Sequence, residues 1–209
     1  MALAIPYGRK LSIKMGTIIT LPKPNKDGQM SLEKAIAARR SHRDFSPQPL
    51  TLEQIGELVW AAQGQDPSSR YRTAPSAGAT YPLELFVVSS EGLFHYLPAK
   101  HSLEKLSGQD IRIALTSAAW GQNFIEEAPL TLVFAAEFAR TTRHYGERGI
   151  RYVYMEAGHA AQNVHLQAES LGLGSVAVGA FDDDSVSKVL SLPDHLEPVY
   201  MVVVGYCRK

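Results

Sequence analysis

Apolar residues recur along the chain at two spacings, and each spacing predicts a type of element. Leu32, Ala35 and Ile36 fall on one side of a short helix that Ser31 can cap, ending at Arg39-Arg40 where cations suit the helix dipole. Thr51 and Gln54 form a capping-box pattern ahead of Ile55, Leu58, Val59 and Ala62, which predicts a second amphipathic helix stopped by Gly64. Leu83 to Ser89 and Leu93 to Leu97 read as strands joined by Ser90-Glu91-Gly92, a hairpin connection. Asp110 to Trp120 has a helical pattern, and Leu130 to Ala136 is a continuous apolar run of buried-strand type. Ile150 to Leu171 carries the longest helical pattern, closed by Gly172. Val176 to Val178 and Val199 to Val204 are further buried strands flanking a short helix from about Asp182 to Leu190. Hairpins early and crossovers late predict an α+β fold around a central sheet.

Residues 1–30 contain Gly8, Gly16, Pro22, Pro24 and Gly28 with little periodicity and read as an extended arm; residues 31–209 read as a single domain. With 209 residues, 45% of them hydrophobic, the chain can bury a core that needs no staples. The single cysteine, Cys207, cannot close a bridge within the chain, and seven histidines without a second thiol give no zinc-site spacing. No metal is expected, and a cytoplasmic location is. No apolar run approaches the roughly 20 residues of a membrane span, and Met1 to Lys14 lacks the continuous apolar stretch of a signal peptide.

A net charge of zero hides an asymmetry. Residues 1–43 hold nine Lys and Arg against two acids, while the rest holds twelve against nineteen. Such a basic segment can draw nucleic acid, a membrane surface or a phosphorylated ligand. Without interleaved aromatics, and with Pro22 and Pro24 in the arm, neither nucleic acid nor membrane is expected as a partner.

Four familiar patterns fail on context. Gly172-Leu-Gly174-Ser-Val-Ala177 spells a dinucleotide fingerprint, but a helix precedes it and a strand follows, the reverse of what phosphate binding at a helix N-terminus requires, so a helix stop and turn is expected. Ser76 lacks the strand–turn–helix frame of a nucleophile elbow. His159 and His165 stand about 240° apart around their helix and cannot share a metal, and Asp182-Asp183-Asp184 suits a helix cap.

Arg39-Arg40-Ser41-His42-Arg43 is the remaining candidate. Guanidiniums and a hydroxyl converge where a helix gives way to a loop, which suits a phosphate monoester, although basic helix ends are also commonly solvated. This cluster, the loop Ala74-Pro75-Ser76-Ala77-Gly78-Ala79-Thr80-Tyr81-Pro82, the run from Arg151 through Gly158 to Gln162-Asn163, and Leu171-Gly-Leu-Gly174 with Gly179 together resemble the FMN-dependent nitroreductase superfamily. More narrowly, they are similar to its branch containing the azoline dehydrogenases, which form thiazoles and oxazoles in peptides.

The resemblance implies a nitroreductase-like fold, with a central, mostly antiparallel sheet flanked by helices, and an intertwined homodimer holding two FMN at the subunit interface. It implies that Arg39, Arg40, Ser41 and Arg43 hold the phosphate and ribityl end, with Arg208 as a further phosphate partner. Pro75, Ser76, Ala77 and Gly78 would border the flavin from the other chain, Gln122 would face the ring's polar edge, and Gly179 with Ala180 would present backbone N–H to the ring. Small residues suit these roles because they let backbone approach a flat ring. Ala157, Gly158, Ala160 and Ala161 make a small-residue patch that serves either a dimer seam or the chain's own sheet.

Azoline dehydrogenases of this branch carry a Lys-Tyr pair where this chain has His144-Tyr145. Histidine titrates near neutrality and can serve as a general base, so the pair reads either as catalytic or as a loop pair with only packing roles. The implied activity is hydride transfer through flavin N5 in two half-reactions: NAD(P)H-dependent reduction of nitro or quinone acceptors, or dehydrogenation of a small substrate. An azoline dehydrogenase acting on a heterocyclised peptide and a non-catalytic flavin-binding protein are the alternatives.

Overall fold

A computed structural model describes residues 16–69 and 71–208. The first half of the expected arm, including the stretch searched for a signal peptide, lies outside the described residues. In chain order the elements are β1 (Ile18–Thr20), α1 (Leu32–Ala38), α2 (Leu52–Gln63), β2 (Leu83–Ser89), β3 (Gly92–Leu97), β4 (Ser102–Ser107), α3 (Arg112–Ala118), α4 (Phe124–Glu127), β5 (Leu130–Ala136), α5 (Phe138–Tyr145), α6 (Arg148–Ser170), β6 (Gly174–Val178), α7 (Asp183–Leu190) and β7 (Glu197–Gly205).

The strands form one sheet in the order β1-β4-β3-β2-β5-β7-β6, and every neighbouring pair is antiparallel. The expected α+β class with a central antiparallel sheet is therefore observed, and so is a late crossover: β5 and β6 run parallel to each other on either side of β7, joined through α5 and α6. β7 runs antiparallel to both β5 and β6, so α7 links antiparallel neighbours.

Alternation along the strands divides the core in two. Leu83, Leu85 and Val87 of β2, with Leu130, Leu132 and Phe134 of β5, face α2 and α6. Phe86, Val88, Val133, Ala135, Met201 and Val203 face the other way, onto α3 and α7. All seven residues of β5 are buried because the strand is central and covered on both faces, which is why it reads as an unbroken apolar run.

Helix ends follow the expected chemistry. Ser31 caps α1 through Lys34 N–H at 3.3 Å, Thr51 and Gln54 make a reciprocal capping box on α2, and Asp182 caps α7 through Ser185 N–H at 2.8 Å. α3 is shorter than its apolar pattern, because Trp120 and Gly121 adopt φ of 57° and 77° and the chain turns out of the helix. Gly172, at φ 70°, likewise ends α6 ahead of β6, the helix stop and turn expected for the false fingerprint.

Four elements carry no periodic signal: β1, β4, α4 and α5. β4 buries only Ser102 and Leu103, and α5 turns Thr141 inward as its one buried residue, so neither has an aliphatic stripe. The second half of the arm is partly structured, since β1 pairs with β4 at the sheet edge.

Between α1 and α2 the chain lies along the far end of the sheet. Ser41 bridges to Ser175 of β6, His42 N–H donates to Ser175 O at 3.0 Å, and Phe45 bridges to Cys207 beyond β7. Phe45 is fully buried there and anchors the segment. Phe45→Ala should cost about 3–5 kcal/mol, read as a lowered denaturation midpoint with an unchanged slope; a loss below about 1 kcal/mol would show that this segment is not anchored by its side chain.

Candidate functional site

The expected site residues fall into two groups. The first surrounds the segment that Phe45 anchors. Arg39 is the C-cap of α1 and is half-buried beside His165 of α6, while Ser41 and Arg43 are exposed. Arg43 lies over the Phe124 ring at 5.9 Å and has no ion pair among the described residues. Arg40 is engaged otherwise: its Nη1 donates to Ala37 O at 2.9 Å and Arg39 O at 2.8 Å, closing the end of its own helix. Arg208 reaches Asp44 and Glu127, each at 3.4 Å, exposed pairs that hold a guanidinium only weakly.

The turn between α3 and α4 belongs to the same group. Gln122 Nε2 donates to Ala119 O at 2.9 Å and to Ala180 O at 2.8 Å, and Asp182 N–H donates to Ala118 O at 2.9 Å. The segment after β6 is thereby clamped, with Gly179 and Ala180 exposed. A Cβ at Gly179 would meet only the Tyr200 ring at 3.5 Å, an ordinary contact. No described residue demands glycine there.

The second group is the loop 75–78 with its supports. Thr73 is tied back to α2 by Thr73 N–H to Gly64 O at 2.8 Å and by its hydroxyl to Trp60 O at 2.9 Å. Asn163 Nδ2 of α6 donates to Ala61 O at 3.1 Å and Thr73 O at 3.4 Å. Beyond these anchors the backbone enters the left-handed region three times, at Gly78 (φ 60°), Ala79 (51°) and Tyr81 (47°). Ala79 and Tyr81 hold that conformation at a cost of order 1 kcal/mol or more each. The arrangement is maintained by Tyr81 N–H to Ser76 Oγ at 3.0 Å, Thr80 to Thr141 at 2.8 Å, and Arg140 Nη1 to Tyr81 O at 3.0 Å.

His144 and Tyr145 stand in the last turn of α5, a helix and not the loop expected for them. Their rings meet edge-on at 4.6 Å, and Tyr145 also packs on Tyr152 at 5.2 Å. A Cβ at Gly78 would come within 2.7 Å of the Tyr145 hydroxyl, so glycine is required both for its φ and for this contact. Tyr145 is half-buried, and His144 is exposed. On the far side of the loop's stem lies a cavity of about 620 Å³ bordered by Trp60, Tyr71, Arg72, Thr73 and Tyr96.

α6 passes both groups, with His165 beside Arg39 and Glu156 beside Ser76. Nine residues of helix, about 13 Å, separate the two points. The sequence singles out neither residue for this position. His165 reads there only as structural, and it is: buried, with Nδ1 2.7 Å from Ser175 Oγ. Glu156 is only a polar letter inside an apolar run.

The small-residue patch divides. Ala157, Ala160 and Ala161 are buried against the chain's own core. Gly158 is exposed, and a Cβ placed on it would meet no described atom within 4 Å, although glycine inside a helix costs about 1 kcal/mol relative to alanine. Ile150, Tyr154 and Met155 flank it at 42%, 54% and 53% exposure, and Leu32 and Ile36 are exposed on the neighbouring α1. This stripe has no cover among the described residues.

Burial moves two groups in opposite senses. It pushes Glu156 up from 4.5 to about 7, with Ser76 and Arg72 favouring the charged form less strongly, and pushes His165 down from 6.5 to about 4, with Arg39 adding to the effect. Folding therefore disfavours ionised Glu156, so its contribution is lost as pH rises from 4.5 through 7. Folding also disfavours protonated His165, so its contribution is lost as pH falls from 6.5 to 4. Relative to the native chain, Glu156→Gln should gain roughly 2–3 kcal/mol at about pH 8 that vanishes by about pH 4, and His165→Gln should gain a similar amount only at the acid end. Denaturation across this range checks both; parallel stability curves for the three proteins would contradict these assignments.

Residues 36–206 match the model of the nitroreductase family. A candidate nitroreductase of Methanocaldococcus jannaschii is 41% identical over 91% of this chain and 98% of its own. An FMN reductase (NADPH) of Bacillus subtilis is 28% identical, matching 83% of this chain and 64% of its own length. Among solved structures, that of a candidate nitroreductase from Ralstonia eutropha superposes with a TM-score of 0.84 at 32% identity, covering 98% of this chain and all of that one.

Proposed function

The chain belongs to the nitroreductase family, and on that premise we propose that it is a homodimeric oxidoreductase which binds FMN between the two groups, the corner from one subunit and the 75–78 loop from its partner. The carrying observation is the separation of these groups along α6, together with an uncovered stripe centred on Gly158. A ligand the length of a flavin nucleotide needs both a phosphate grip and a flat, small-residue border.

The residues suit that cofactor. Arg39, Ser41 and Arg43 would hold the phosphate, with Arg208 free to turn from its weak partners. Gln122 has both its donor bonds directed to backbone, which leaves Oε1 as an acceptor for the ring's polar edge. The backbone at Gly179 and Ala180 lies open to a flat ring. When bound, the flavin supplies hydride transfer through N5. His144, exposed on α5 beside Tyr145, would exchange the accompanying proton with substrate, and the aromatic cavity bordered by Trp60 and Tyr71 gives a planar acceptor room.

NAD(P)H as donor with a nitro or quinone acceptor is the favoured reading, supported by the FMN reductase relative. Anaerobic addition of NADPH should bleach the bound flavin; bleaching by an azoline peptide alone would instead favour peptide tailoring. Arg39→Ala with Arg43→Ala should weaken FMN binding by at least roughly a hundredfold, the effect of two charge-assisted bonds, measured by flavin fluorescence. A full complement of FMN in the purified double variant would overturn the phosphate assignment. Gly158→Arg should convert the dimer to monomers in sedimentation equilibrium, and an unchanged dimer would place the seam elsewhere.

A further inference from the structure

The basic leading segment supplies arginines to the proposed phosphate grip, yet two of its lysines stand elsewhere. Lys23 and Lys26 border the cavity of about 620 Å³ beside the stem of the 75–78 loop. Neither forms an ion pair among the described residues. The strap that carries them, residues 21–26, is fastened through its backbone. Leu21 N–H donates to His101 O at 3.1 Å, and His101 Nε2 lies 2.8 Å from Pro22 O. Burial holds His101 below its ordinary value, so the ring is uncharged at neutrality. A carbonyl only accepts, so Nε2 carries the ring's proton and Nδ1 accepts from the Tyr96 hydroxyl at 2.9 Å.

The second fastening is at Asn25. Its N–H donates to Glu57 Oε1, and Gln167 Nε2 of α6 donates to Glu57 Oε2 at 3.3 Å. Glu57 is a buried carboxylate of α2, and among the described residues its hydrogen bonds go to the strap and to α6. The lysine side chains take no part in either fastening. The strap therefore sets two ammonium groups at the cavity's border without using them to hold itself in place.

The rest of the border is aromatic and short of acid. Trp60, Tyr71 and Tyr96 contribute rings, and Asp66 is the one acid among the described residues there. Its carboxylate is engaged by Ser68, accepting from the N–H at 2.7 Å and from the hydroxyl at 2.6 Å. Arg72 adds a third cation, but its Nη1 is taken by Gln63 Oε1 and Leu83 O, and Glu84 and Glu156 offset its charge. Lys23 and Lys26 are the cations left for a ligand. Flat apolar walls with a few convergent charges suit a planar ring that bears an anionic group.

We propose that this cavity selects acceptors that are both aromatic and negatively charged, nitroarenes or quinones bearing a carboxylate, with Lys23 and Lys26 as the residues that set the preference. The proposal rests on the reading of this cavity as the acceptor's place and deepens it. The rings at the border take either a neutral or a charged arene, so discrimination between the two falls to the strap. Because both ammonium groups are exposed, their attraction for a carboxylate weakens as salt is added.

The test compares 4-nitrobenzoate with 4-nitrobenzamide, which share ring, nitro group and near-identical shape but differ in charge. Equilibrium dialysis of the purified protein reads binding without turnover, and KM values from NADPH-supported reduction read it during turnover. The native chain should bind the benzoate about tenfold more tightly than the amide, the effect of two exposed charge contacts, and added salt should shrink that preference. Lys23→Gln with Lys26→Gln should bring the two affinities within about twofold by weakening the benzoate alone. Lys23→Arg with Lys26→Arg should keep the preference, which separates charge from a change in the strap's structure. Equal binding of the two compounds by the native chain, or a preference that survives in the glutamine variant, overturns the proposal. A glutamine variant that loses affinity for NADPH and keeps the preference for the benzoate assigns the lysines to the donor and overturns it too. A purified protein without FMN that takes none up overturns the flavin reading and the acceptor's role, whatever dialysis shows.

Discussion

The close seating of α6 on the sheet is the constraint from which the rest follows. Its buried stripe is Val153, Ala157, Ala160, Ala161, Val164 and Ala168, mostly residues so small that the helix lies near the strands. A 23-residue helix so placed spans the molecule, and each part of the candidate site is built against a different turn of it. Arg39 sits by His165, Ser76 by Glu156, and Thr73 is tied by Asn163. Because the helix is rigid, the corner and the loop keep the separation that it sets.

The same seating decides which residues face outward. Burying the alanines on one side puts Ile150, Tyr154, Met155 and Gly158 on the other, beside Leu32 and Ile36 of α1. An exposed apolar stripe with an unexplained glycine at its centre is a liability for an isolated chain and an asset for one that pairs with a copy of itself. The loop at Ala79 and Tyr81 is fixed from within the chain. Strained conformations persist where surrounding bonds over-determine them, and here the bonds come from Ser76, Thr141 and Arg140.

Much of this is legible in the residues, and what is not has identifiable causes. The capping pair Thr51 and Gln54, the apolar run of β5 and the stop at Gly172 act locally, so pattern alone reveals them. α5 escapes because its inward side is Thr141 with half-buried Phe138 and Tyr145, and polar or aromatic residues at helical spacing give no aliphatic period. Without that helix, His144 and Tyr145 read as loop residues when they stand at a helix end. Arg40 looks equivalent to its neighbours, yet three-dimensional reach assigns it to the carbonyls of its own helix. Glu156 is invisible for a different reason: a single acidic letter does not say whether it faces water or Arg72. Gly158 and Ala157 are adjacent letters of one motif, and only the direction of each around the helix separates an exposed residue from a core residue.

The central claim, that one ligand is gripped by a corner from one subunit and a loop from the other, is tested most directly by mixing two defective chains. One carries Arg39→Ala with Arg43→Ala, the other Gly78→Val, which the Tyr145 hydroxyl and a positive φ both oppose. Each alone should bind little FMN. After equal amounts are unfolded together and refolded, half the dimers are mixed and each holds one sound site, so about a quarter of the native FMN capacity should return. If the mixture binds no more FMN than the two variants apart, the site lies within a single chain and the account fails.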